Sequence, residues 1–356
     1  MIDVFNIEQY SLDRTAKAEF LFPALRGLHE HHLQHSKEYA SVTATLFPHH
    51  ASATSIEELP FLPVSVFKNY QLKSVADEEI IKVLTSSGTT GQAVSRIYLD
   101  KHTAQMQTKA LSKIIGHVVG TKRLPMLIVD SKSVLSNRAS FSARGAGILG
   151  LSVFGKDHTY VLDDNLELME PVLEEFLQTH SGQPVLIFGF TFMVWLYLYS
   201  ASLSGKYDLS QAILIHSGGW KKLVDLSVDN ETFKQKLREK FGLQQVYNFY
   251  GMVEQVGSVF LENSDGSLHC PNFADVIIRN PVDFSVQKEG EPGLIQVLST
   301  LPHSYPGHSL LTEDLGVLTG TDSASNGWKG RSFKVLGRAK KAELRGCSDT
   351  FTSPKR

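Results

Sequence analysis

From residue 80 onward, short β-branched runs alternate with helical patterns, and this alternation constrains the fold more than any other feature. Ile80–Leu84, Met126–Val129, Val185–Phe188, Ile213–His216 and Val246–Phe249 read as strands. Thr103–Val119, Leu166–His180 and Val228–Phe241 read as the helices that separate them. Such alternation specifies an α/β fold with a largely parallel, buried sheet. The longest apolar stretch, Val185 to Leu203, is interrupted by Gly189, Thr191 and serines. It reads as a buried strand followed by a buried helix, not a membrane span.

The texture differs at both ends. Residues 1–79 read as helix and loop packed on the core. His29, Glu30, His31, His32 and His35 crowd one helix there. Their spacing allows a metal site, since i,i+3 and i,i+4 share a face. The plainer reading is a solvated polar face, because Leu33 leaves HExxH incomplete. Pro60–Val64 reads as an extended connector into the core. Past residue 260, short strands are divided by Asn280-Pro281, Gly290–Gly293 and Pro302–Gly307. That pattern reads as an antiparallel or barrel-like subdomain. The expected organisation is a helical segment at 1–79, an α/β nucleotide- and acyl-binding core at 80–260, a β-rich subdomain at 261–336 and a hairpin with tail at 337–356.

A formal net charge of -2 offers no basic field for nucleic acid. The cysteines, Cys270 and Cys347, form no disulfide framework, and no signal peptide is apparent, so a reducing cytoplasm is expected. Gly145–Gly150 matches GxGxxG, but no strand leads into it and no acidic residue follows at the required spacing. Close helix packing through small residues is the expected use.

Five stretches carry chemistry. Thr85-Ser86-Ser87-Gly88-Thr89-Thr90-Gly91 follows a strand and offers hydroxyls and close backbone approach to a phosphate. His216-Ser217-Gly218-Gly219-Trp220 ends another strand; its glycines leave room for a flat ring, or make a plain strand-to-helix turn. Asn248-Phe249-Tyr250-Gly251-Met252-Val253-Glu254 ends a third, and Glu254 is either a magnesium carboxylate or an ordinary acidic helix start. Asp314, in Thr312-Glu313-Asp314-Leu315-Gly316, suits a ribose diol or an Asx-type turn. Arg338, in Leu336-Gly337-Arg338, is a planar donor for phosphate or ribose, or a solvated hairpin charge.

The order and spacing of these stretches resemble the adenylate-forming superfamily of acyl-CoA ligases, adenylation domains and luciferases, over roughly residues 80 to 347. The resemblance implies that superfamily's large-domain fold with a truncated C-terminal domain. It also implies ATP phosphates on Ser86–Gly91, with the adenine and acyl pocket framed by Gly218–Trp220 and Asn248–Gly251. It implies magnesium on Glu254, the ribose on Asp314, and the ribose or hinge on Arg338. Phe188, Phe190, Phe192, Met193 and Trp195 are rich enough to line an acyl pocket, and equally fit plain core.

The closer likeness is to the LuxE-type acyl-protein synthetases, with phenylacetate–CoA ligases more distant. Pro60–Lys68, Ser86-Ser87-Gly88-Thr89-Thr90-Gly91 and Glu343-Leu344-Arg345-Gly346-Cys347-Ser348 carry it. It implies that Cys347 accepts the acyl group of a fatty acid and hands it to an acyl reductase partner. CoA or a carrier protein, loaded with a fatty or aromatic acid, is the alternative acceptor. A degenerate nucleotide-binding subunit is the non-enzymatic alternative. Only eighteen residues follow Arg338. The lysine that the superfamily's C-terminal domain supplies must then come from Lys341, Lys340, Lys221 or Lys222, or from a partner. Lys340, Lys341 and Arg345 would lower the Cys347 pKa, and Cys270 is expected to be structural.

Overall fold

The computed structural model describes residues 3–86, 94–135, 143–201, 205–220 and 227–339. These fall into two units. One holds the described residues of Met1–Ser86, Gln92–Ile114 and Gly251–Glu343; the other holds those of Ile115–Tyr250.

The chain opens with α1 (Arg14–His35) and α2 (Lys37–Leu46). Asp13 caps α1, its carboxylate accepting from Ala16 N at 2.9 Å, and Ser36 caps α2. Then come β1 (Leu62–Pro63), α3 (Val66–Asn69), β2 (Ile80–Thr85), β3 (Arg96–Asp100) and α4 (Lys101–Val119). The second unit continues with β4 (Leu124–Ser131), α5 (Ala143–Ser152), β5 (Gly155–Leu162), α6 (Glu170–Thr179) and β6 (Val185–Phe190). It ends with α7 (Thr191–Met193), β7 (Ala212–Ser217), α8 (Asn230–Phe241) and β8 (Gln245–Tyr250). The chain returns to the first unit with β9 (Phe260–Glu262), β10 (Leu268–His269), β11 (Ala274–Arg279), β12 (Pro292–Ser299), β13 (Ser309–Thr321) and β14 (Arg331–Arg338).

In the second unit the strands lie in the order β8-β7-β6-β4-β5, with every described neighbour pair parallel. β6 is buried throughout and β4 nearly so, as expected for strands covered on both faces. β5 escapes a reading by apolar runs because it is an edge strand with an exposed middle. α8 starts at its Asp229 cap and ends at Gly242, whose φ of 72° closes the helix in the left-handed region. The GxGxxG match lies within α5, and a Cβ on Gly147 would press on Phe190 Cζ at 3.2 Å, so the small residue permits close helix packing.

The first unit carries an antiparallel sheet in the order β11-β12-β13-β14-β10-β9, with β1 parallel to β13. Its core includes Leu21, Leu25, Ile56, Leu59, Ile277 and Leu298. The strand expected at Ile80–Leu84 exists but does not join the parallel sheet. It is β2, paired antiparallel with β3 in a two-stranded ribbon, with Ile81 and Val83 exposed. Only ten residues separate Thr85 from Arg96, too few for a parallel crossover.

The histidines of α1 correct the reading of a solvated face. His29 and His32 are buried, and among the described residues no group of acidic, histidine or cysteine side chains is arranged to hold a metal. They form a polar network instead. His29 Nδ1 meets Tyr39 OH at 2.7 Å and its Nε2 meets His50 Nδ1 at 2.9 Å. The Ser74 hydroxyl donates to His32 Nδ1 at 2.8 Å. No described helix is long and apolar enough to cross a membrane.

Candidate active site

In the second unit, two of the expected stretches sit side by side because their strands are parallel neighbours. His216 pairs with Asn248 and Ser217 with Phe249, so Gly218–Trp220 and Asn248–Tyr250 emerge at the same ends of β7 and β8. Crevices at strand C-termini are where open α/β sheets bind ligands. Ser217 Oγ donates to Phe249 O at 2.9 Å and ties the two ends together. Gly218 has φ 86°, a conformation that favours glycine, and a Cβ on Gly219 would meet nothing within 4 Å. Trp220 lies edge-on to Trp195 at 6.1 Å. Behind these ends His216 is buried beside Thr191, and burial pushes its pKa down to about 3. Phe188, Phe190, Phe192 and Met193 are buried, with Phe188 edge-on to Phe190.

A feature that sequence patterns did not signal also belongs to this unit. Asp130, near the end of β4, is buried and held by both Nε and Nη2 of Arg144, at 3.0 and 2.7 Å. Burial raises its pKa, and the guanidinium partly offsets that.

The first unit holds Thr85, Ser86, Gly251, Glu254, Asp314 and Arg338. Ser87–Gly91, Lys221, Lys222, Lys340, Lys341 and Cys347 lie outside the described residues. Thr85 ends β2, and Ser86 closes the base of the hydroxyl-rich loop. Its N–H donates to Ser95 O at 3.1 Å, and its hydroxyl accepts from Ser95 N at 2.9 Å. Asp314 and Arg338 face each other across β13 and β14, with Nε 3.4 Å from Oδ1. Arg338 Nη1 also donates to Glu313 Oε2 at 3.1 Å, and Lys68 Nζ lies 3.9 Å from Glu313 Oε1. Gly337, at φ 135°, lets β14 turn as it reaches Arg338.

Glu254 sits in the short turn Val253–Gln255, partly buried. Burial raises its carboxyl pKa and the Glu313 charge adds to that; the Ser95 hydroxyl and the Lys68 charge partly offset both. Ser95 Oγ, Gln107 Nε2 and Tyr305 OH are buried around it, the Ser95 hydroxyl interacting with the carboxylate and the Tyr305 phenol with Gln107. A carboxylate flanked by hydroxyl oxygens is a hard oxygen donor set of the kind magnesium takes, so Glu254 would be the residue to hold the ion. Ser95, Gln107 and Tyr305 carry no motif of their own. Cys270 is fully buried and its thiol pKa is pushed well up by burial, which leaves it inert.

The model of the family "Acyl-protein synthetase, LuxE" matches residues 4–354. The chain belongs to that family. The long-chain-fatty-acid–luciferin-component ligase of Vibrio harveyi is 22% identical over 341 residues, covering 92% of this chain and 87% of that protein. The ligase of the same name from Aliivibrio fischeri is 24% identical over 269 residues, covering 74% and 70%. Among solved structures, 2-hydroxyisobutyryl-CoA ligase in an open conformation with 2-HIB-AMP and CoA superposes with a TM-score of 0.71. It is 16% identical, with 92% of this chain and 76% of that one covered. The luciferase-like enzyme of the Zophobas morio mealworm gives a TM-score of 0.50 at 17% identity, covering 76% and 60%. The fold is that of the adenylate-forming enzymes. As a member of the LuxE family, the chain is an ATP-using ligase that forms an acyl thioester through an acyl adenylate.

Proposed function

We propose that this enzyme activates a long-chain fatty acid and transfers the acyl group to its own Cys347, for delivery to an acyl reductase. The alignment with a long-chain-fatty-acid ligase over 92% of the chain carries this reading. A carboxylate oxygen of the fatty acid attacks the α-phosphorus of ATP, and the bond to the pyrophosphate oxygen breaks. Little covalent work falls to the protein; positioning and charge neutralisation dominate. The Cys347 thiolate then attacks the acyl carbon, AMP leaves, and a thioester remains.

The residues divide this work. Thr85–Gly91 hold the phosphates with hydroxyls and backbone N–H groups. Gly218–Trp220 and Asn248–Gly251 frame the adenine and the acyl group. Asp314 accepts from the ribose hydroxyls, and Arg338, already oriented by Glu313 and Asp314, holds the ribose edge. Glu254, with Ser95 and Tyr305 beside it, would hold magnesium. When bound, the ion neutralises negative charge on the phosphates. Lys341 lies six residues before Cys347 and, with Arg345, favours its thiolate. A reducing cytoplasm, where Cys347 stays a thiol, suits this chemistry. CoA, named in the 2-hydroxyisobutyryl-CoA ligase complex, is the competing acceptor.

The substrate class is tested by exchange of labelled pyrophosphate into ATP. Exchange should depend on added carboxylate, with long-chain fatty acids exceeding benzoate and phenylacetate at least tenfold in kcat/KM. Equal or greater exchange with the aryl acids would overturn the fatty-acid assignment.

A further inference from the structure

The loop from Pro302 to His308, between β12 and β13, is buried along nearly its whole length and tied from several directions. Connections normally run over the surface. From α1, His32 Nε2 donates to Pro302 O and His31 Nε2 to His303 O, each at 3.1 Å. Ser304 N donates to Thr103 Oγ1 of α4 at 3.1 Å, and its hydroxyl donates to Tyr98 O of β3 at 2.8 Å. Ser304 O accepts from Ser74 N at 2.8 Å. The His308 ring stacks on His32, with centroids 5.0 Å apart.

The far side of this loop is the Glu254 turn. Gln255 is buried, and its Nε2 donates to Gly307 O at 2.9 Å and to Val297 O at 3.3 Å. A Cβ on Gly307 would lie 2.8 Å from Glu254 O and would overlap the Tyr305 ring. Glycine is therefore what lets loop and turn touch. The Tyr305 phenol is fully buried and close enough to feel the Glu254 charge. Its hydroxyl interacts with Gln107, and the Ser95 hydroxyl interacts with the Glu254 carboxylate. A buried phenol and a buried serine hydroxyl thus stand beside one carboxylate.

We propose that the Pro302–His308 loop is the positioning device for Glu254: Tyr305 steadies its carboxylate, and α1 acts on the reaction by clamping the loop through His31 and His32. This rests on the reading of Glu254 as the carboxylate that serves magnesium and phosphate. The loop supplies what neither sequence motif contains, a fixed platform joining the Glu254 turn to the N-terminal helix.

Tyr305→Phe tests it. The variant removes one hydroxyl and keeps the ring against Phe67, so the fold should persist. The expected results are a roughly tenfold lower kcat for pyrophosphate exchange and a roughly tenfold weaker Kd for MnATP, read by electron paramagnetic resonance, with melting unchanged. In a Glu254→Gln background, Tyr305→Phe should add nothing further. His32→Leu should lower kcat, and His32→Gln, which keeps an N–H donor for Pro302 O, should recover most of it. Tyr305→Phe with kcat and MnATP affinity within twofold of wild type would overturn the proposal. If Glu254→Gln is itself without effect on MnATP affinity, the reading of Glu254 fails; if only Tyr305→Phe is silent, that reading stands and the positioning role falls.

Discussion

Glu254→Gln should lower carboxylate-dependent pyrophosphate exchange by about 10²–10³-fold, the usual cost of removing one preorganised electrostatic partner of a developing charge. Glutamine keeps the shape of the side chain and removes its charge. Burial and Glu313 already raise the Glu254 pKa, so the ionised carboxylate is held against its own solvation preference. A neutral replacement should fold at least as well, and thermal melting should be unchanged or slightly higher. The pairing of lost exchange with retained stability distinguishes a working carboxylate from a structural one. A variant that exchanges pyrophosphate within threefold of wild type would remove Glu254 from the chemistry.

Acid should also unfold this protein early. Burial pushes His29 and His269 down to about 4 and His216 and His308 to about 3, and it holds His32 well below the ordinary range. In the unfolded chain all five titrate near 6.5. Above that value both states are neutral and the histidines contribute nothing to pH dependence. Below it the unfolded chain takes up protons that the folded chain refuses, so stability falls as pH drops from about 6.5 toward 4. Each such histidine costs about 1.4 kcal/mol per pH unit in that window. Five of them at pH 5.5 amount to about 7 kcal/mol, a large share of a typical 5–15 kcal/mol stability. Urea midpoints measured at pH 7.5 and 5.5 should therefore differ by more than 1 M, given a slope of about 1–3 kcal/mol per M. Identical midpoints would mean that these rings are not held neutral in the fold.

How far the sequence could be read depends on whether the signal is local. The inner strands of the parallel sheet announce themselves as short apolar runs: Met126–Val129, Val185–Phe188 and Ile213–His216 lie within observed strands, and so does Val246–Phe249 of the half-buried β8. β5 does not, because an edge strand needs no apolar middle. The run Ile80–Leu84 was legible as a strand but not as part of a ribbon, since its partner β3 is set by the length of the intervening loop. The chemistry-bearing stretches are legible because glycines and hydroxyls at strand ends are local requirements of backbone geometry. Asp314 and Arg338 are opposed by the register of β13 and β14, which no spacing along the chain reveals. Tyr305, Gln107 and Ser95 gain their significance only from what surrounds Glu254. The histidines of α1 misled for the same reason: spacing shows which of them share a face, but not that the face is covered by His50, His303 and His308.

The central claim is that a carboxylate activated by ATP ends as a thioester on Cys347. Incubating the enzyme with ATP, magnesium and an isotopically labelled long-chain fatty acid, then mapping the label by peptide mass spectrometry, tests it most directly. The label should sit on the peptide containing Cys347, be released by neutral hydroxylamine, and vanish in Cys347→Ser while pyrophosphate exchange continues. Label that survives Cys347→Ser unchanged would contradict the account.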